Sequence, residues 1–267
     1  MGGEPRRAAV IGHPVAHSRS PVMHTAAYRA LGMDWTYEAV DVAPAELEGF
    51  VRGLVAAGYA GVNVTIPHKP AVLPMCDMVS GEARRAGSVN TIVIGADRRL
   101  AGHSTDGRGL LWALGDITPS SALVLGAGGA ARAVVEALRG AGWSVSVSAR
   151  RAQAAAALGV SVVGWPPSRL PELVVNATPI GQAGDLADSP VEASLLAAHM
   201  TVCDLAYRGD GSPTALCIAA AQRGARVVDG LDVLAGQGIY AFELLTGREA
   251  PAEVMRAAAR AGTEPVR

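Results

Sequence analysis

Apolar and polar positions in this chain follow two periods, about 2 and about 3.6 residues, and the pattern switches between them repeatedly. Arg7–Ile11 reads as a strand, Gly12–Ser20 as a loop, and Pro21–Leu31 as a helix with Ser20 as N-cap and Pro21 opening it. Trp35–Val42 alternates like a strand, Ala45–Ala57 follows helical spacing, and Gly61–Thr65 is a short β-branched strand ended by Pro67. Short helices are expected around Ala71–Met75 and Gly81–Ala86. A small hairpin should follow, from Asn90–Ile94 through the turn Gly95–Arg99. After a helix at Asp106–Leu114 and a polar break at Thr118–Ser121, a second series begins. It has strands at Ala122–Leu125, Trp143–Ser148, Leu173–Asn176, Thr201–Leu205 and Val227–Val228. Helices are expected at Arg132–Arg139 and Pro213–Arg223, with a helical segment in the alanine run Ala154–Ala157. The tail, Leu231–Leu245 and Ala252–Ala259, is helical. Alternating strands and helices predict open, mostly parallel sheets covered by helices. The expected architecture is α/β with two domains: 1–105 plus 231–267, and 106–230. The C-terminal helices would pack back on the first domain.

Composition narrows the function classes. The chain has 267 residues, of which half are hydrophobic and 18% charged, with a formal net charge of −1. That balance excludes a disordered chain and supplies no basic field for nucleic acid. No apolar run reaches the roughly 18 residues of a membrane span. The opening residues lack the apolar core of a secretory signal. Cys76, Cys203 and Cys217 are odd in number and widely spaced, so reduced thiols and a cytoplasmic location are expected, with no metal site. The oligomeric state stays open between a monomer and a homodimer.

Several motifs carry chemistry. Gly126-Ala127-Gly128-Gly129-Ala130-Ala131 follows an apolar strand and opens a helix, which is G-x-G-x-x-A in the context a dinucleotide fingerprint requires. An ordinary strand-to-helix turn is the competing reading. At the end of the next strand an NAD-binding acid is expected about 20 residues beyond the glycines. The chain instead reads Ser148-Ala149-Arg150-Arg151. Two guanidiniums suit a 2′-phosphate; the plain alternative is two solvated arginines starting a helix. Lys69 is the only lysine among 23 basic residues, just past a strand's carboxyl end. An ammonium exchanges a proton as a guanidinium does not, although a single surviving lysine is equally a chance of composition. Asp106 stands at a helix start and reads equally as an N-cap; Ser20 has the same reading, and Ser18 reads as a loop serine.

Taken together, these motifs resemble the shikimate dehydrogenase family over nearly the whole chain. His17-Ser18-Arg19-Ser20-Pro21 is similar to H-S-x-S-P, and Asn63-Val64-Thr65-Ile66-Pro67-His68-Lys69 to N-V-T-x-P-x-K. Ser88-Val89-Asn90-Thr91 is similar to A-V-N-T, and Ser104-Thr105-Asp106 to N-T-D. Asn176-Ala177-Thr178-Pro179 and Asp204-Leu205-Ala206-Tyr207 resemble segments lining the nicotinamide, and Gly236–Glu243 resembles the Q-G-x-x-A-F-E region.

The resemblance implies NADPH-dependent, reversible reduction of 3-dehydroshikimate to shikimate, in chorismate and aromatic amino-acid biosynthesis. It implies Lys69 and Asp106 as the proton-transfer pair. Ser18, Ser20, Thr65, Asn90, Asp106, Tyr207 and Gln237 would bind the substrate. Gly126 through Ala131, Arg150, Arg151, Asn176, Thr178, Leu205 and Gly230 would bind NADP. The first domain would be the catalytic, substrate-binding one and the second the NADP-binding Rossmann domain. The chain departs from the family pattern at Ser104, Ala149, Gln182 and Asp232-Val233. Competing readings are a quinate or aminoshikimate dehydrogenase of the same family, and a shikimate-binding regulator without catalysis.

Overall fold

The computed structural model describes residues 6–182 and 188–261; the outermost parts of the expected first domain, 1–5 and 262–267, lie outside the described residues. Two compact units are present. One comprises residues 6–109 and 235–261, the other 110–234.

The first unit is built on β1 (Arg6–Gly12), α1 (Ser20–Ala30), β2 (Trp35–Asp41), α2 (Leu47–Gly53), β3 (Tyr59–Val64), β4 (Met78–Val79), α3 (Gly81–Ala86), β5 (Thr91–Ile94) and β6 (Leu100–His103). Its sheet runs β2-β1-β3-β5-β6-β4. β1 pairs in parallel with both β2 and β3. The expected hairpin appears as β5 and β6, antiparallel to each other, with β5 also antiparallel to β3. Ala9, Ile11, Val62, Val64 and Ile92 share one buried cluster with Leu47, Val51 and Leu54 around α2.

The helix α4 (Asp106–Leu114) leads to β7 (Ser121–Leu125), α5 (Gly129–Gly140), β8 (Ser144–Ser148), α6 (Ala152–Ala156), β9 (Ser161–Val163), β10 (Leu173–Asn176), β11 (Thr201–Asp204), α7 (Ala215–Gln222) and β12 (Arg226–Val228). All neighbours in this second sheet are parallel, in the order β9-β8-β7-β10-β11-β12. This is the doubly wound 3-2-1-4-5-6 arrangement of dinucleotide-binding sheets. Alternate residues of each strand enter separate cores. Val124, Leu173, Val175 and Cys203 pack with α5, whereas Leu123, Leu125, Val174 and Val202 pack with α7. Burial on both faces explains why these strands read as continuous apolar runs.

The chain closes with α8 (Gly230–Thr246) and α9 (Ala252–Arg260), and α9 packs on α1. The units divide four residues beyond the expected boundaries of 105/106 and 230/231. The reason is local packing. The first turn of α4 lies against Gln237, where a Cβ on Gly109 would collide with backbone, and Val233 of α8 sits in the core around α5.

Three local readings need correction. Arg19, not Ser20, is the N-cap of α1, and no side chain caps that helix; Ser20 is its first helical residue. The helix after the glycine fingerprint starts at Gly129 rather than Arg132, because Gly128 supplies an extended cap and Gly129–Ala131 are small enough to enter the first turn. Ser161–Val163 pairs as an edge strand with all three residues exposed, although its valines, bounded by Gly159 and Gly164, offered a strand signal that the expected elements omit.

Candidate active site

Strand β3 ends at Val64, and the turn that follows carries Thr65 to Lys69. Gly12 permits this turn to lie against the end of β1: a Cβ there would stand 2.9 Å from the Ile66 carbonyl oxygen and closer still to the Thr65 methyl. The Thr65 amide donates to Ile11 O at 2.8 Å, and the Val89 amide to Lys69 O at 2.9 Å. His68 is buried, its Nε2 2.6 Å from Val42 O. The backbone that launches Lys69 is thus pinned on both sides.

Lys69 Nζ donates to both carboxylate oxygens of Asp106, at 2.7 and 2.9 Å. Asp106 is the first residue of α4, so its carboxylate also lies at the positive end of that helix. The pair is mostly buried, with side-chain exposures of 21% for Lys69 and 13% for Asp106. Asn90 Nδ2 lies 2.9 Å from Asp106 Oδ1, 2.9 Å from Thr105 Oγ1 and 3.3 Å from Gln237 Oε1. Asn90 Oδ1 accepts from the Thr105 amide at 2.9 Å, and Thr105 Oγ1 donates to Gln237 O at 3.0 Å. Lys69, Asp106, Asn90 and Gln237, spread over most of the sequence, therefore meet in one polar cluster.

Ser18 and Ser20 sit at the start of α1, with the Ser20 amide 3.3 Å from Ser18 Oγ. A buried hydrogen-bonded chain leads to that cluster from β2. Tyr37, on β2, donates its hydroxyl to Asn63 Oδ1 at 2.7 Å. Asn63 Nδ2 in turn donates to Thr91 Oγ1 at 3.0 Å and to Asn90 O at 3.3 Å. Asn63 and Thr105 stand inside the motifs that carry the resemblance and Tyr37 outside them; no role was assigned to any of the three from sequence. Asn63 did leave a signal, being an amide between Val62 and Val64 in a wholly buried strand.

In the second unit, Gly126 follows β7 with φ +108°, and a Cβ there would meet the Ala177 carbonyl oxygen at 2.9 Å. Gly128 opens α5 with no side-chain cap, and a Cβ on it would meet nothing within 4 Å. The first-turn amides of Gly129, Ala130 and Ala131 are thereby left facing an open approach. Arg150 and Arg151 follow β8, both exposed, and neither side chain makes an ion pair or hydrogen bond among the described residues. Asn176 ends β10; its Oδ1 accepts from the amide and hydroxyl of Thr178, at 3.0 and 2.7 Å. Leu205 and Tyr207 lie in the loop after β11, and Gly230 begins α8 against the Ala206 carbonyl.

The chain matches the shikimate dehydrogenase substrate binding domain over residues 10–92 and the shikimate 5′-dehydrogenase C-terminal domain over residues 230–260. It is 44% identical to a shikimate dehydrogenase (NADP(+)) of Symbiobacterium thermophilum, covering 98% of this chain and 96% of that one. A shikimate dehydrogenase (NADP(+)) of Moorella thermoacetica is 42% identical over 92% of this chain and 90% of its own. The chain belongs to the shikimate dehydrogenase family. The crystal structure of shikimate 5-dehydrogenase from Thermus thermophilus, in complex with NADP(H) and shikimate, superimposes with a TM-score of 0.89. It shares 43% identity and covers 96% of this chain and 98% of that one.

The second unit is chemically suited to the cofactor of this family. Gly126 and Gly128 give a backbone cradle without side chains, α5 begins without a side-chain cap, as a pyrophosphate would require, and Arg150 and Arg151 are exposed cations beyond β8 with no ion pair among the described residues. Among the described residues, no group of three or more His, Cys, Asp or Glu side chains could hold a metal ion, and no helix is long and apolar enough to cross a membrane.

Proposed function

We propose that this chain catalyses the reversible NADPH-dependent reduction of 3-dehydroshikimate to shikimate, with Lys69 and Asp106 as the proton-transfer pair. The observation that carries the reading is the bidentate Lys69–Asp106 contact, joined by Asn90 to Gln237. When bound, NADPH supplies the hydride. Lys69 donates a proton to the oxygen of the ring ketone as it becomes an alcohol, and takes that proton back in the reverse direction. Asp106 fixes the ammonium in place and stabilises its charge through two charge-assisted hydrogen bonds. A residual exposure of 21% leaves Lys69 open to water, from which it recovers its proton. General acid–base catalysis of this kind is worth roughly 10²–10⁴-fold.

Ser18 and Ser20 hold the substrate carboxylate, and Thr65, Asn90, Asp106, Gln237 and Tyr207 the ring oxygens. The first unit is the substrate domain and the second the NADP domain, with Gly126–Ala131, Asn176, Thr178, Leu205 and Gly230 against the dinucleotide and Arg150 with Arg151 on its 2′-phosphate. Three free cysteines, two of them buried, support a cytoplasmic location.

The test is NADPH consumption by purified protein offered 3-dehydroshikimate, 3-dehydroquinate or the amino analogue. Turnover with 3-dehydroshikimate at least tenfold more efficient than with the others is expected. A preference for either alternative would overturn the substrate assignment, and binding without turnover would overturn the enzyme reading.

A further inference from the structure

Asp204, the last residue of β11, is fully buried, and no cation contacts it among the described residues. Its Oδ1 accepts from Asn176 Nδ2 at 2.8 Å and from the Ala206 amide at 3.0 Å, while Oδ2 accepts from Thr214 Oγ1 at 2.6 Å. Each partner belongs to a different segment at the carboxyl edge of the parallel sheet. Asn176 is the hub of the loop after β10: besides its two bonds from Thr178, its Nδ2 also donates to Ile180 O at 3.1 Å. Ala206 lies in the loop after β11, between Leu205 and Tyr207, and Thr214 is the N-cap of α7. Gly181 approaches closely on the same side, with a Cβ there 3.3 Å from Thr214 Cβ and 3.9 Å from Asp204 Oδ2.

We propose that Asp204 is a positioning residue for the cofactor: its buried carboxylate, acting through Asn176 and Ala206, locks the two loops that line the nicotinamide half of the nucleotide site. The inference rests on the NADP reading of the second unit. A buried carboxylate without a cation is a costly way to join two loops, since a neutral amide would fill the same space. What the charge adds is strength, because hydrogen bonds to an ionised acceptor are shorter and roughly twice as strong as neutral ones.

The cost is visible in the titration. Burial pushes the Asp204 carboxyl up to about 6, against the opposing pull of Thr214, Ala206 and Asn176. Asp229 adds to the rise from the start of α8; the neighbouring thiols of Cys203 and Cys217 are themselves raised by burial and are neutral at these pH values. The sign follows. With its folded value above the unfolded one of 3.8, Asp204 takes up a proton on folding between about pH 6 and pH 4, so its contribution to stability rises as pH falls. Its grip on the loops, which needs the charge, weakens over the same interval. Stability and cofactor affinity therefore move in opposite directions, which a purely structural role does not produce.

The experiment compares wild type with Asp204→Asn, using NADP⁺ as the binding probe and thermal unfolding of the ligand-free protein. The asparagine keeps an oxygen toward Asn176 and Ala206 and turns its amide toward Thr214 Oγ1, so the fold is retained. At pH 7.5 the NADP⁺ Kd should rise at least about fivefold in the variant, with shikimate affinity within twofold of wild type. The Kd ratio of variant to wild type should shrink toward one as pH falls to 5, cancelling the titration of the nucleotide's own phosphate. Over the same range wild type should gain stability relative to the variant. Thr214→Val, which keeps the carboxylate and removes its Oδ2 donor, should also weaken NADP⁺. An unchanged Kd in folded Asp204→Asn, or a Kd ratio independent of pH, would overturn the proposal. Wild type that binds shikimate but not NADP⁺ would instead overturn the cofactor reading beneath it.

Discussion

Lys69 and Asp106, 37 positions apart, are joined by two hydrogen bonds of 2.7 and 2.9 Å. The geometry fixes the ammonium from one side only, through both carboxylate oxygens, and leaves part of it open. Asp106→Asn keeps the shape but removes the charge and one of the two acceptors. A fall in kcat of about 10²-fold is expected, with shikimate KM raised less than tenfold. Steady-state kinetics in both directions check this; an Asn variant with full kcat would show that the carboxylate only caps α4.

Arg150 and Arg151 are exposed cations beyond β8, without an ion pair among the described residues, at a strand end that lacks the acid an NAD site uses. Replacing both with Ala should raise the KM for NADPH about tenfold or more while leaving that for NADH nearly unchanged, since charged hydrogen bonds contribute roughly 1.5–3 kcal/mol each. Equal losses with the two cofactors would place the arginines away from the 2′-phosphate.

Gly109 lies so close to the backbone of Gln237 that any side chain would push α4 and α8 apart. Gly109→Ala is therefore expected to move Gln237 off Asn90 and loosen Thr105 Oγ1 from Gln237 O. Shikimate KM should rise at least tenfold while NADP⁺ affinity stays within twofold. Titrating each ligand separately checks it, and unaltered shikimate binding would contradict the arrangement.

His24 is wholly buried on α1, stacked on Tyr37 at 4.2 Å, with neither ring nitrogen hydrogen-bonded among the described residues. Burial lowers its imidazole to about 3, well below the usual 6.5. The unfolded chain thus binds a proton from pH 6.5 downward that the folded protein refuses until about pH 3, so stability falls as pH falls through this window. His24→Phe should remove that part of the acid sensitivity and, by ending two unsatisfied polar atoms, stabilise the protein at neutral pH by about 1 kcal/mol or more. Thermal melts from pH 8 to pH 4 would show it; parallel wild-type and variant curves would contradict it.

Most of the fold was legible because both sheets bury apolar runs bounded by glycine or proline. What escaped were two very short edge strands: Ser161–Val163, valine-rich and bounded by glycines but only three residues long, and the two-residue strand Met78–Val79. The convergence of Lys69, Asp106, Asn90 and Gln237 came from motif resemblance, since no local pattern links residue 90 with 237. Of the connecting residues, Asn63, Thr105 and Asp204 stand inside the motifs that carry the resemblance and Tyr37 outside them, but none had a role assigned from sequence. Tyr37, Asn63, Thr105 and Asp204 act through hydrogen bonds to other side chains, and nothing in a strand pattern separates such a polar residue from one facing water. Ser20 shows the converse error, a residue suited to an N-cap that instead lies inside the first turn of α1.

The proton-transfer role of the sole lysine is tested most directly by Lys69→Arg, assayed for kcat and KM with 3-dehydroshikimate and NADPH. Arginine keeps a positive charge beside Asp106 but holds its proton too tightly to give it up. A fall in kcat of about 10²-fold or more, with KM changed less than threefold, is predicted. Turnover by Lys69→Arg at the wild-type rate would contradict it and leave Lys69 as a binding cation alone.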